Sequence, residues 1–434
     1  MLTTDLLKLS ATEIASKISG GELTSVRLIE ALLSRIKERE KTVKAWAYID
    51  PDIILDQARK SDQSGSLGLL HGVPLGIKDI IDTCDMPTQM GSPIYIDHQP
   101  LRDASCVALT RSAGALIMGK TVSTEFAGSF PGPTSNPHNP ERTPGGSSSG
   151  SAAAVADYMI PVAFGTQTGS SILRPSSYCG IIGYKPTFGR FNISGIKPAA
   201  QSLDTLGLHV RNLEDIQLFT SVLINRSFKP LESPSYFPKI GICRTELWDY
   251  ALPETKLALE SAATNLEKSG AKVSDIKTPN SFKGLEEARI LINCYERSRH
   301  MVYEWNEHRA SLSEPFQDVI SAGLNMSYDD YSTAMKQTEK CLNESNNMFQ
   351  NLDLIIAPCV DGEAQLGLDF SGNPRFSGLW TAIRLPTLNL PTHTGPNGLP
   401  VSIQLVGKYR GDDKLLGIAK WVLQTLGSPS LKSS

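Results

Sequence analysis

Apolar positions near the start of the chain recur at helical intervals: Val26, Ile29, Leu33 and Ile36 fall on one face, and Ser10-Ala11-Thr12-Glu13 has capping-box spacing. Residues 1–45 therefore read as two packed helices. Leu75–Asp79 and Ala115–Gly119 are short apolar runs beside turn residues and read as buried strands, with Gly119-Lys120-Thr121 opening a loop. Ser151–Ala156 concentrates helix formers, and Pro161–Thr166 returns to a strand. The proline- and serine-rich stretch 226–238 reads as a connection, after which 239–243, 254–268 and 271–276 form a strand-helix-strand passage. Residues 284–350 are charged and helical in pattern, with Tyr295, Tyr303 and Trp305 on a buried or substrate-facing side. Apolar runs at 352–358 and 401–407 supply the last strands. Strands alternating with helices predict an α/β layer architecture, and the absence of repeats or low-complexity tracts predicts one large domain over 1–434.

Composition narrows the function classes. A chain of 434 residues that is 40% hydrophobic and 20% charged can bury a large core. Its net charge of −3, with both signs interspersed, offers no basic face for nucleic acid, so the expected partner is a small molecule, in a chain that can pair as a homodimer. Seven scattered cysteines without a CxxC pair read as reduced thiols of a cytoplasmic protein. The N-terminal stretch is amphipathic, and no run reaches the roughly 18 apolar residues of a membrane helix, so neither export nor a membrane partner is expected. The seven histidines show no metal-ligand spacing, and neither a metal nor another cofactor is expected.

The chemistry concentrates between Thr143 and Pro175, in two glycine/serine clusters whose serines Ser147 and Ser171 lie 24 positions apart (171 − 147). Lys78 sits upstream in GVPLGIKDI. Together these offer a nucleophile, a relay and a base without histidine, and glycine beside serine lets backbone N–H groups approach a substrate carbonyl. For Lys78 to act as a base near neutral pH its pKa must fall about 3 units from about 10.4, worth roughly 4 kcal/mol. Leu75, Ile77, Ile80 and Ile81 can supply that burial, provided Asp79 and Asp82 face away.

The segments 72–92, 114–129, 136–156, 165–190 and 398–407, in order along the chain, resemble the amidase signature family, with wording nearest its bacterial malonamidase branch. The resemblance is dense from about 70 to 210 and thin from about 225 to 350. It implies a large twisted mixed sheet covered by helices on both faces, in three layers α/β/α. The core at 65–225 would carry the catalytic segments, the helices at 1–45 would precede it, and 239–427 would complete the sheet and substrate pocket. It implies amide hydrolysis through an acyl-enzyme that releases ammonia, with Ser171 as nucleophile, Ser147 as a relay on a cis peptide bond and Lys78 as base. Backbone N–H groups of Thr168, Gly169, Ser170 and Ser171 would form the oxyanion hole, with Ser148 keeping the relay in register. Gly128 and Ser129 would line the substrate entrance beside Asn136.

Three departures from the family's commonest wording, GTDTGGSIR, shape the substrate expectation. Gln167 replaces the aspartate, Ser170 replaces the second glycine, and the arginine moves one place to Arg174. Gln167 and Arg174 match the malonamidase branch and both are expected to bind substrate, the shifted arginine suiting a carboxylate, so a small carboxylate-bearing amide resembling malonamate is the expected substrate. Arg174 paired with a structural carboxylate is the plainer reading. The alternative function is the glutaminase subunit of a tRNA-dependent amidotransferase, which usually keeps the aspartate and the earlier arginine where this chain has Gln167 and Leu173. A non-catalytic scaffold would not need all three catalytic residue types. Gly146–Gly150 also matches GxSxG with Ser148 as nucleophile, but no strand pattern precedes it. Ser194–Lys197 matches SxxK without the companion motifs and reads as a surface turn.

Overall fold

The segment Pro74–Lys78 is buried at every position, as an interior strand with neighbours on both sides requires. It belongs to one sheet in the computed structural model, which describes residues 3–66 and 68–427. The sheet's strands are β1 (Trp46–Tyr48), β2 (Pro74–Lys78), β3 (Leu116–Thr121), β4 (Val162–Gln167), β5 (Ile182–Lys185), β6 (Thr205–Val210), β7 (Lys239–Cys243), β8 (Lys272–Ile276), β9 (Leu354–Pro358), β10 (Thr387–Thr394) and β11 (Pro400–Val406). They lie in the order β1-β3-β2-β4-β6-β5-β10-β11-β9-β7-β8. The sheet is mixed: β2 runs parallel to β3 and β4, β7 runs parallel to β8 and β9, and the middle pairs are antiparallel. Helices cover both faces, giving the three-layer α/β arrangement.

Several boundaries differ from the sequence reading, each for a physical reason. The N-terminal stretch forms three helices, Thr3–Lys8, Ala11–Ser19 and Ser25–Val43, because buried Leu6 docks a short turn ahead of the Ser10 cap. The capping box is present, with Ser10 Oγ accepting from Glu13 N and the Glu13 carboxylate accepting from Ser10 N at 2.8 Å. Gly119-Lys120-Thr121 opens no loop: β3 runs through Thr121, and buried Lys120 donates to Thr88 Oγ1 at 2.6 Å. Strands β1, β5, β6 and β10 lie outside the runs that the apolar pattern marks. β10 holds Asn389 and Pro391, turn-formers by composition. Yet Asn389 Oδ1 accepts from Gly183 N at 2.8 Å and its amide donates to Ile181 O, so the polar group is satisfied inside the sheet.

The charged stretch after residue 284 folds into helices Leu285–His300, Val302–Glu307, Glu314–Leu324 and Tyr328–Met348. The first of these packs against the last two and against the helix Arg375–Ala382. Among the described residues no helix is long and apolar enough to cross a membrane. Cys84 is exposed and the other six cysteines are buried, all of them as free thiols.

Candidate active site

β2 ends in Lys78, whose side chain is fully buried between its neighbours β3 and β4. Its Nζ lies 2.6 Å from Ser147 Oγ and 2.9 Å from Thr166 Oγ1, on β4. Burial pushes the Lys78 pKa well below its ordinary value; the Asp204 charge opposes that shift, and the Arg297 and Arg174 charges reinforce it. The condition on the flanking acids is met at Asp79, whose carboxylate turns to Lys120 on β3, 3.4 Å away. Among the described residues, Asp204 is the acid that bears most on Lys78 instead.

The first serine cluster leads into the helix Ser149–Ala156, which packs on β2, β3 and β4. The Gly146–Ser147 peptide is cis, and Ser147 is fully buried, with its carbonyl accepting from Thr124 N. Gly145 has a φ of 78°, and a Cβ there would stand 2.9 Å from Pro175 Cα, so only glycine lets the two clusters close on each other. Ser148 ties them together: its backbone N–H donates to Ser171 O at 3.3 Å, and its hydroxyl accepts from Thr166 N at 3.3 Å. Bonded in this way and with no strand before it, Ser148 lacks the setting of a nucleophile elbow.

The second cluster leaves β4 and turns into the helix Leu173–Tyr178. Ser171, half-buried, opens onto a cavity of about 220 Å³ that Thr168, Gly169, Ser170 and Arg174 also line. Gly128, Ser129 and Phe316 form another wall, with Phe370 to Pro374 facing them. Lys78 and Ser147 do not line this space but lie beneath it. Thr168 is anchored through its hydroxyl, which donates to Asp204 Oδ1 at 2.5 Å, while Asp204 Oδ2 accepts from Ala199 and Ala200 N–H.

Arg174 donates through Nη2 to Gly146 O at 2.7 Å, and its Nε and Nη1, both buried, meet no partner among the described residues. Burial pulls its pKa down to about 10, against the Tyr178 contribution and with that of Arg289. It makes no direct ion pair with a carboxylate among the described residues, although the Asp361 charge acts on it from farther off. Gln167 requires a correction. It does not reach the cavity: its Oε1 accepts from Ile172 and Leu173 N–H at 2.9 and 3.1 Å and its Nε2 donates to Thr381 Oγ1, so it braces the turn after Ser171. Asn136 likewise bonds Thr143 O and Tyr178 O behind the site instead of lining the entrance.

Helix Leu285–His300 supplies what the sequence reading lacked. Arg289, Asn293 and Arg297 line the cavity, and Arg297 donates to Phe126 O at 2.8 Å while stacking on Phe316. Among the described residues no carboxylate side chain lines it. Tyr295, Tyr303 and Trp305 do not face it: Tyr295 stacks on Tyr331, Tyr303 is exposed and Trp305 is half-buried. Periodicity could not reveal the arginines, because a buried cation at a helical core position looks like a break in the apolar stripe. Ser194–Lys197 lies apart from this floor, with Lys197 paired to Glu304 at 2.6 Å.

The amidase family model matches residues 27–416. The glutamyl-tRNA(Gln) amidotransferase A subunit of Chloroflexus aurantiacus is 30% identical over 96% of each chain. Its counterpart in Natranaerobius thermophilus is 30% identical over 97% of this chain and 96% of its own. Among solved structures, an amidase superposes with a TM-score of 0.88 at 28% identity, covering 96% of this chain and 100% of that one. The peptide amidase of Stenotrophomonas maltophilia gives 0.85 at 26%, covering 98% and 99%.

These relatives overturn one expectation. The charge pattern predicts a small-molecule amide as the sole partner and excludes nucleic acid. Proteins alike over nearly their full length are, by name, subunits of an enzyme that acts on glutamyl-tRNA(Gln). Net charge misled because a catalytic subunit need not itself carry the basic surface of its assembly. The protein is a hydrolytic enzyme acting on amides. With the family model matching most of its length and the same fold in solved amidases, the chain belongs to the amidase signature family.

Proposed function

We propose that the chain works as one catalytic unit over 1–434 that releases ammonia from an amide, with Ser171 as nucleophile, Ser147 as relay and Lys78 as base, and that it serves as the glutaminase component of an amidotransferase. The observation that carries the chemistry is the 2.6 Å approach of Lys78 Nζ to Ser147 Oγ at complete burial, where the amine is held below its ordinary pKa. Ser171 Oγ attacks the amide carbonyl while its proton passes to Ser147, whose own proton passes to Lys78. The developing oxyanion is met by backbone N–H groups of Thr168, Gly169, Ser170 and Ser171. Collapse breaks the C–N bond, the proton returns along the relay to the departing nitrogen as ammonia, and water then cleaves the acyl-enzyme. The full-length likeness to amidotransferase A subunits supports glutamine as the amide.

A second reading of the substrate rests on the cavity. Arg174, Arg289 and Arg297 line it and no carboxylate does, so the α-ammonium of glutamine would find no acid there, whereas a short amide ending in a carboxylate, such as malonamate of the malonamidase branch, would find several donors. The test is ammonia release by the purified chain from glutamine, malonamate and neutral amides, with Ser171→Ala as control. Turnover of glutamine above the others supports the first reading, turnover of malonamate the second, and undiminished turnover in Ser171→Ala overturns the mechanism.

A further inference from the structure

Two glycines flank the guanidinium of Arg289. A Cβ at Gly169 would lie 3.2 Å from its Nη1, and a Cβ at Gly378 would lie 2.8 Å from its Nε, so the group occupies a slot between the second serine cluster and the helix Arg375–Ala382. Either side chain would crowd it. Glu286, one turn earlier, takes Nε and Nη2 at 2.7 and 2.5 Å, which fixes the plane of the fork. Nη1 is then the donor left over, on the side of Gly169, in a residue only 6% exposed. Arg174, whose Nε and Nη1 are buried without partners among the described residues, lines the same cavity, and the two cations are near enough to oppose each other's charge. A buried guanidinium with two unmatched nitrogens is costly, and in a cavity lined by no carboxylate side chain among the described residues, beside a second guanidinium whose Glu286 partner leaves Nη1 unbonded, it calls for an anion from outside.

We propose that Arg289 is a specificity-determining residue that, together with Arg174, grips the anionic end of the substrate's acyl group, and that Glu286 positions it. The inference deepens the proposed amide hydrolysis and rests on the cavity being its acyl site. It adds that the acyl group ends in a carboxylate held from two sides. The helix Leu285–His300 thereby selects substrates, although the residues that would perform the chemistry sit elsewhere.

The test uses the full-length chain with two readouts. In the first, ammonia release is followed from malonamate and succinamate against propionamide and butyramide. Arg289→Gln should lower the acidic-to-neutral ratio of kcat/KM about 10- to 100-fold, mainly through KM, and Arg289→Lys should recover part of it as a single-point donor. A ratio equal to that of the wild type overturns the proposal. In the second, malonate binding is measured by calorimetry, which needs no turnover. Wild type should bind malonate and Arg289→Gln should bind it at least tenfold more weakly. Glu286→Gln, which keeps the cation and removes its neutralising partner, should bind it at least as tightly as wild type. If both variants lose malonate equally, the pair is a structural brace and the proposal falls. Should wild type release ammonia from no amide, the proposed function fails, and the malonate measurement still decides the anion site.

Discussion

Lys120 Nζ stands 3.4 Å from the Asp79 carboxylate, both of them buried, and this pair keeps the acid that follows Lys78 in sequence away from the Lys78 amine. Asp79 also accepts from Gln89 N, yet burial still raises its pKa to about 6, partly offset by Lys120. Replacing Lys120 by Met leaves a buried carboxyl without its cation. Stability should fall by about 3 to 5 kcal/mol at neutral pH, measured by urea unfolding. The sign follows from a carboxyl pKa already raised above 3.8: the stability of the neutral form is present below that value and lost as pH rises through the folded pKa. The deficit of Lys120→Met should therefore be smaller at pH 4 than at pH 8. An equal deficit at both would mean that the pair is not electrostatic.

Asp204 is the acid that opposes the depression of the Lys78 pKa, and it also holds Thr168 through a 2.5 Å hydrogen bond. A neutral-lysine base requires kcat/KM to rise as pH rises through the Lys78 pKa, and because that pKa is depressed the ascending limb should lie well below the range of a free lysine. Asp204→Asn keeps an acceptor for Thr168 but removes the charge, so the limb should move to lower pH, at some cost in stability because the Ala199 and Ala200 N–H groups lose their carboxylate oxygen. A limb in the range of a free lysine, or one that moves upward in Asp204→Asn, would contradict Lys78 as the base.

Ser170 fills a position in the cavity wall where its hydroxyl is buried without a hydrogen-bond partner among the described residues, while its carbonyl accepts from Arg174 N at 2.8 Å. The backbone, not the side chain, anchors the turn. Ser170→Gly should therefore keep turnover of small amides and widen the range toward bulkier acyl groups, read as the ratio of kcat/KM for branched against linear amides. A loss of all turnover would assign the hydroxyl a part in the reaction.

How much of this is legible in the sequence depends on whether the signal is contiguous. The apolar frame around Lys78 and the two glycine/serine clusters are local wording, and the strands β2, β3, β4, β7, β9 and β11 announce themselves as apolar runs, with β8 marked by its place after a helix and Gly270. β5, β6 and β10 do not, because buried polar residues such as His209 and Asn389 interrupt their runs and find their partners elsewhere along the chain, at Ser176 and Gly183. The cavity's far wall is hidden for the same reason: Arg289 and Arg297 meet Gly169 and Phe126 across more than a hundred residues of separation, on a helix whose sequence resembles the family thinly. The direction of a side chain is equally unreadable at Gln167, where one residue type serves a substrate contact or a brace.

That brace yields the sharpest mutational contrast. Gln167 uses both ends of its amide, accepting from two successive backbone N–H groups just past Ser171 and donating to Thr381, whose own hydroxyl donates to Gly169 O at 2.7 Å. Gln167→Leu fits the buried volume but leaves two N–H donors unmet, which should cost about 2 to 4 kcal/mol of stability. Because the lost bonds hold the turn and not the substrate, kcat should drop for acidic and neutral amides alike, with their ratio unchanged. Gln167→Glu restores the acceptor for both N–H groups but loses the donor to Thr381 and buries a carboxylate, so it should recover only part of the thermal stability. Selective loss of carboxylated amides in Gln167→Leu would instead place this side chain in contact with substrate and undo the assignment.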